Sequence, residues 1–194
     1  MTPEAPAPRG RPRDPEADRA ILAAAADLLG TSGFGGLTME AVAERAGVSK
    51  ATVYRRHPCR QDLLHAVCQQ FAPPVGGLPD TGDTRRDLAE VLERLAASLS
   101  DSEPGRVVPA LLAASAVEPE ARAAIARFAA GRRSVVREVV ERGVARGDLP
   151  EGTSHEVLAD LLVGAVLYRT LVRGEPVGPA LVEAYLGAAL PTIS

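Results

Sequence analysis

The sequence predicts an all-α fold in two parts. Its 194 residues are 46% hydrophobic and 24% charged, a balance typical of a globular chain with a sizeable core. Alanine and leucine recur throughout without the alternation of β-branched residues that marks strands. A proline- and glycine-rich stretch, "APPVGGLPDTGD", interrupts this helical pattern. We therefore expect a disordered basic arm at residues 1–13, a first helical domain at 14–72 and a second at 73–194.

The charge pattern confines any nucleic-acid binding to one part of the chain. The formal net charge of −3 excludes a uniformly basic protein. Residues 1–72 carry nine Lys and Arg against eight Asp and Glu, whereas residues 73–194 carry 13 against 17. Residues 45–61 contain no acid but five basic side chains: Arg45, Lys50, Arg55, Arg56 and Arg60. This distribution indicates a basic module on an acidic body.

The composition also indicates where the protein resides. No apolar run approaches the roughly 20 residues needed to cross a bilayer. The N-terminal stretch "MTPEAPAPRGRPRD" lacks the apolar core of a secretory signal. Two cysteines, Cys59 and Cys68, are too few for a disulfide framework. We expect a cytoplasmic protein without membrane segments.

The first helix is predicted to begin at Asp14 as N-cap, with Pro15 at its first position. An apolar stripe at helical spacing gives it one buried face: Ile21, Ala25, Leu28 and Leu29. The glycines of "TSGFGGL" should end it. Thr38 is expected to cap a second helix that ends at Gly47.

Ser49 is expected to cap a third helix only two residues after Gly47, which gives a helix, a tight turn and a helix. Val53 and His57, four residues apart, should face inward together with Val48. The opposite side is then exposed and basic: Lys50, Ala51, Tyr54 and Arg55. A fourth helix should begin near Cys59 and Arg60 and bury Leu63, Leu64 and Val67.

This arrangement predicts a DNA-binding helix-turn-helix, because the exposed residues have base- and phosphate-binding chemistry. Ser49, Lys50, Ala51 and Thr52 can contact base edges, and Tyr54 can donate to phosphate. Thr38, Arg55, Arg56 and Arg60 are the remaining predicted phosphate contacts. In the arm, Arg9, Arg11 and Arg13 alternate with Gly and Pro, a composition that fits a narrow minor groove. The alternative interpretations are a solvated basic face and a terminus without a partner.

His57, Cys59, His65 and Cys68 fall within twelve residues, so a metal site is chemically allowed. Their spacing fits no common zinc pattern, and we predict no metal. The sequence also lacks a Gly-rich phosphate loop, a nucleophile elbow and a helix with paired His ligands around a Glu. We therefore expect neither an enzyme nor a cofactor.

The second domain is expected to contain helices near 83–101, 105–116, 119–146, 154–173 and 178–190. The stretch "HEVLADLLVGAVLYRTLV" is apolar around nearly its full circumference and needs cover on two sides. We predict that the last two helices pair with those of a second copy, the alternative being burial within one protomer. Predicted liners of a pocket for an apolar small molecule are Leu111, Leu112, Phe128, Val135, Leu162, Val166 and Tyr168.

The segment "TMEAVAERAGVSKATVYRRHPCRQDLLHAV", preceded by "GFGG", resembles the DNA-binding segment of the TetR (tetracycline repressor-like) family over roughly residues 15–68. His57 and Cys59 depart from the aromatic and capping residues usual there. The later half is similar in style to the family's ligand-binding domains. The resemblance implies an N-terminal three-helix helix-turn-helix domain followed by a C-terminal helical ligand-binding and dimerisation domain.

The same resemblance implies the function of a homodimeric regulator. Such a protein, most often a repressor, binds double-stranded DNA at a palindromic operator and leaves it when a small-molecule effector binds. Two alternatives stay open: a metal- or redox-responsive regulator that uses Cys59 and Cys68, and a helical small-molecule-binding protein without operator binding.

Overall fold

The computed structural model describes residues 15–70, 77–100 and 103–190, and these ranges are helical without any strand. The predicted all-α fold is confirmed. The helices are α1 (Pro15–Gly36), α2 (Met39–Arg45), α3 (Lys50–Arg56), α4 (Arg60–Gln70), α5 (Thr84–Leu99), α6 (Glu103–Ala114), α7 (Pro119–Arg146), α8 (His155–Leu167) and α9 (Pro179–Ala189). A single π turn, Tyr168–Val172, extends α8.

α1 ends later than the glycines of "TSGFGGL" predict. The helix kinks at Gly33, whose φ of 67° and ψ of −174° lie outside the helical region, and then resumes as far as Gly36. Only glycine adopts this conformation at little cost. The kink places Phe34 in the core, where it is 5% exposed. The predicted cap Asp14 and the arm lie outside the described residues.

The turn chemistry of the helix-turn-helix is as predicted. The Thr38 hydroxyl accepts a hydrogen bond from the Ala41 N–H at 3.1 Å, and Ser49 accepts one from the Thr52 N–H at 3.2 Å. Gly47 has a φ of +66° between the two helices. These side chains satisfy amides at the helix starts that would otherwise lack partners. They fix α2 and α3 at the ends predicted from the sequence.

The two halves of the chain share one hydrophobic core. α1 packs along α6 as well as against α2 and α4. The approach is close at Gly30, where a β-carbon would lie 2.8 Å from Arg106 Cβ. α7 contacts α4, α5, α6 and α8. The helix-turn-helix is thus held on the second half through α1 and α4.

The start of α5 is fastened to the end of α7. Gly143 lies against Thr84, since a β-carbon there would be 2.8 Å from Thr84 Cγ2 and closer still to Oγ1. Asp148 Oδ2 accepts hydrogen bonds from the Thr84 hydroxyl at 2.8 Å and from Arg146 Nε at 3.0 Å. Arg146 also reaches the fully buried Asp87, at 3.7 Å between Nη2 and Oδ2. The hydrogen bonds from Thr84 and Arg146 lower the pKa of Asp148 below its ordinary value.

α8 ends in a wider turn than sequence patterns indicate. The Arg173 N–H donates to the Tyr168 carbonyl at 3.1 Å, five residues back, which defines the π turn. Within the described ranges, none of the helices combines the length and the apolar character that a membrane crossing requires.

Candidate nucleic-acid interface

α3 presents the exposed face that the sequence predicts. Val53 is fully buried and anchors the helix to the core. Lys50, Ala51 and Arg55 are exposed on the outer side, and the Tyr54 side chain is 44% exposed. An outward face made of a cation, a methyl group, a phenol and a guanidinium matches the chemistry of base edges and phosphates.

The residues at the start of α3 are already hydrogen-bonded to each other. Ser49 Oγ and Thr52 Oγ1 lie 2.9 Å apart, and Thr52 is half-buried. Lys50 Nζ lies 3.4 Å from Glu40 Oε1 on α2, with both side chains more than half exposed. Thr38 is exposed at the start of α2. The structure therefore brings the predicted base-contacting residues to one surface, with an acidic side chain beside the single lysine.

Arg56 does not belong to this outward face. Its side chain is only 11% exposed, and its Nε donates to Asp18 Oδ1 on α1. Arg56 thus ties α3 to α1, although the sequence predicted a phosphate contact for it. His57, which was predicted to face inward, is half-buried as the C-cap of α3, and burial lowers the pKa of its imidazole.

Arg60 is also held by a partner within the chain. Its Nε donates to Glu120 Oε2 of α7 at 2.8 Å, and its Nη2 lies 2.8 Å from the same oxygen. The guanidinium carbon sits 4.4 Å from the centre of the Phe34 ring. A guanidinium over an aromatic face gains further electrostatic stabilisation. Sequence reasoning gave no sign of this partner, because Glu120 lies 60 residues further along the chain.

The predicted arm contacts Arg9, Arg11 and Arg13 lie outside the described residues. The His and Cys side chains of the possible metal site do not assemble. In the described ranges, no three side chains of His, Cys, Asp or Glu lie together as metal ligands would. Cys59 is exposed and donates to Asp62 Oδ2 at 3.3 Å, while burial raises the pKa of the Cys68 thiol.

The predicted effector-binding residues divide into two groups. Five are buried in the core: Leu111, Phe128, Val135, Leu162 and Val166. Leu112 and Tyr168 are 40% and 58% exposed, so these two side chains face solvent instead of an interior cavity. Two surface clefts of about 350 Å³ each lie elsewhere, one beside Arg133 and His155, the other beside Leu161 and Ala189.

Arg132 is a residue that sequence reasoning missed in this region. It lies on α7 with its guanidinium 5.0 Å from the centre of the Phe128 ring, and burial lowers its pKa. Arg132 is half-buried, and a partly desolvated charge gains from such a contact. An arginine among many others in the sequence gave no signal of its burial.

α8 and the π turn that extends it carry an exposed apolar face, which we call the α8 stripe: Val157, Leu161, Tyr168 and Val172. Their exposed fractions run from 53% to 71%, and their spacing of four, seven and four residues places them on one side of the helix. Gly164 and Ala165 lie between them and are half-buried. Exposed apolar side chains that line up in this way indicate a surface that another molecule covers.

Two family models together span most of the chain. Residues 21–67 match the bacterial regulatory proteins of the tetR family, and residues 78–189 match the tetracyclin repressor-like C-terminal domain. The chain belongs to the TetR family. It is therefore a helix-turn-helix transcriptional regulator, as the resemblance of its N-terminal segment predicted.

Relatives across the TetR family agree over nearly the whole length. The HTH-type transcriptional regulator YdeS of Bacillus subtilis (strain 168) is 35% identical over 176 residues, which cover 90% of this chain and 88% of YdeS. The crystal structure of the TetR family regulator SCO0332 is 32% identical with a TM-score of 0.64, over 88% of this chain and 94% of that one.

A more distant TetR-family neighbour shares the fold. The crystal structure of the transcriptional regulator FadR from Bacillus subtilis in complex with stearoyl-CoA has a TM-score of 0.72 at 18% identity. The match covers 91% of this chain and 100% of FadR. Helix order is thus retained where most side chains differ.

Proposed function

We propose that this TetR-family regulator is a cytoplasmic homodimeric repressor, which binds a palindromic operator and is released by a small apolar effector. The observation that carries the proposal is the outward face of α3, on which Lys50, Ala51, Tyr54 and Arg55 are exposed together. A transcriptional regulator needs such a face to enter the major groove.

The proposed DNA contacts follow from this surface. Lys50 and Ala51 contact base edges, with Ser49 and Thr52 beside them at the start of α3. Tyr54, Arg55 and the exposed Thr38 bind phosphates on either side of the groove. The arginines of the arm, Arg9, Arg11 and Arg13, follow the adjacent minor groove.

Dimerisation is proposed through the α8 stripe together with α9. Two copies of α8 packed through Leu161, Gly164 and Tyr168 remove from water the apolar side chains that one protomer leaves exposed. A two-fold dimer places two α3 helices against an inverted repeat whose half-sites lie about 34 Å apart.

The effector is proposed to bind among the helices of the C-terminal half. FadR, which shares the fold, is crystallised with stearoyl-CoA, a ligand with a long apolar chain. In this chain, Phe128, Val135 and Leu162 are buried apolar side chains of α7 and α8. An effector that separates these helices would change the spacing of the two α3 helices and weaken operator binding.

The test is selection of binding sites from random duplexes, with the wild type and the double variant Lys50→Ala/Tyr54→Ala in parallel. Arg137→Ala, which removes an exposed charge from α7, is the matched control. We expect the wild type and the control to recover one inverted repeat and the double variant to recover none. Failure of the wild type to enrich any motif would overturn operator binding and favour a helical small-molecule-binding protein.

A further inference from the structure

Arg60 joins three helices through one guanidinium. It stands at the first position of α4, contacts the ring of Phe34 near the end of α1 and pairs with Glu120 in the first turn of α7. Only three residues separate α4 from the end of α3. The DNA-facing helix is therefore connected to the C-terminal half through a side chain that is itself a predicted phosphate contact.

The pair with Glu120 uses an edge of the Arg60 guanidinium that a phosphate could also use. Its Nε and Nη2 both lie 2.8 Å from the same Glu120 oxygen. That edge of a guanidinium is also one through which it binds phosphate with two parallel hydrogen bonds. The pair is accessible to a competing anion, because the two side chains are 32% and 39% exposed.

We propose that Glu120 and an operator phosphate compete for Arg60, so that the position of α7 sets part of the affinity for DNA. This inference rests on the operator binding proposed above. With Glu120 in place, Arg60 is withheld from the phosphate. A movement of α7 away from α4 releases the guanidinium and strengthens DNA binding, while an approach of α7 weakens it.

The competition can be measured without knowing the effector. The probe is the selected inverted-repeat duplex, and the readouts are its Kd and the dependence of Kd on salt. Glu120→Gln keeps the shape of the side chain but removes the competing charge. Glu118→Gln is the matched control, since it removes the same charge two residues earlier, at an N-cap whose side chain makes no capping hydrogen bond.

We expect Glu120→Gln to tighten binding about fivefold and to steepen the salt dependence by about 0.9 for each phosphate gained. Glu118→Gln should change Kd much less and leave the slope unaltered. Arg60→Gln should abolish the gain, so that Arg60→Gln/Glu120→Gln binds no better than Arg60→Gln alone. Thermal unfolding and circular dichroism show whether each variant is folded.

Equal effects of the two glutamate substitutions would overturn the competition, because only general electrostatics would then be acting. A gain from Glu120→Gln that persists without Arg60 would overturn it as well. Weaker binding by a folded Glu120→Gln would show that the pair only positions α4. Absence of any DNA binding by the wild type would instead overturn operator binding, and the competition with it.

Discussion

α3 and α8 are both outward-facing helices, but their exposed side chains differ in kind. α3 exposes Lys50, Tyr54 and Arg55, which water solvates well, whereas α8 exposes Val157, Leu161 and Val172, which it does not. Exposure of the first kind is stable without a partner. Exposure of the second kind is typical of a surface that another molecule covers.

The two helices support their proposed functions by different kinds of observation. The DNA contact proposed for α3 rests on the helix-turn-helix geometry and on the types of its exposed residues, since a charged helix face by itself is ordinary. The dimer interface proposed for α8 rests on the exposure of its apolar side chains, which only the structure shows. Substitutions on the two helices should therefore separate assembly from DNA binding.

The largest expected effect is loss of the dimer by Leu161→Glu. A carboxylate placed at the centre of the α8 stripe would be buried twice at a two-fold interface, so we expect the dissociation constant to rise about 100-fold or more. Size-exclusion chromatography with light scattering measures the change. Leu112→Glu, which alters the same residue type at an exposed site on α6, should leave the dimer intact; a monomeric Leu112→Glu would contradict the assignment of the interface.

Substitutions away from the α3 face and the α8 stripe should change the free energy of unfolding without changing DNA binding or dimerisation. Gly143 gives the largest expected effect of this kind. Gly143→Ala drives a methyl group into Thr84, so we expect a loss of about 1–3 kcal/mol in the free energy of unfolding. Gly131→Ala lies on the same helix with open space around it and should gain up to about 1 kcal/mol. Urea denaturation compares the two. If Gly143→Ala left the free energy of unfolding unchanged in a protein that keeps Thr84, the close contact between the two residues would be refuted.

Substitutions of the neighbouring residues Arg55 and Arg56 should likewise have separate effects, the first on DNA binding and the second on stability. Arg55→Gln should weaken operator binding several-fold and reduce the salt slope by about 0.9, without loss of stability. Arg56→Gln should cost about 1 kcal/mol of stability, because Asp18 loses its partner on α3. Fluorescence titration of a labelled duplex and urea denaturation give both quantities. A stable Arg56→Gln with reduced DNA affinity would return Arg56 to the DNA-facing set.

The smallest effect concerns acid stability. The pKa of Asp148 is lowered in the folded protein, so its contribution to stability is present above the pKa of the unfolded chain and is lost as pH falls through the folded pKa. We expect Asp148→Asn to reduce the decline of the melting temperature between about pH 5 and 2. Parallel declines in wild type and variant would show that other carboxylates account for the acid sensitivity.

Helix caps and turns were predictable from the sequence, because the residue types found there are strongly preferred at those positions. The caps Thr38 and Ser49 and the turn at Gly47 are of this kind. The caps and the turn depend on neighbours within four residues, and the burial of Val53 was indicated by the helical period. The outward face of α3 followed from them, whereas the fold class followed from the composition.

Contacts between distant segments were not predictable. The intrachain partners of Arg56 and Arg60 gave no signal in the sequence, because Asp18 and Glu120 lie 38 and 60 residues away in the chain. The exposure of Tyr168 was hidden because an apolar helix gives no sign of which side its own protomer covers.

The close packing of α1 on α6 at Gly30 has a consequence for how such regulators can be recombined. If the helix-turn-helix and α1 were transplanted onto another C-terminal half, α1 would lack the α6 surface that fits it at Gly30, where even a β-carbon would lie 2.8 Å from Arg106 Cβ. If α3 reads an operator as proposed, a new preference is thus simplest to reach by substitution of the exposed side chains of α3. The helices around α3, including α1 and the α6 surface on which it packs, have to be retained together.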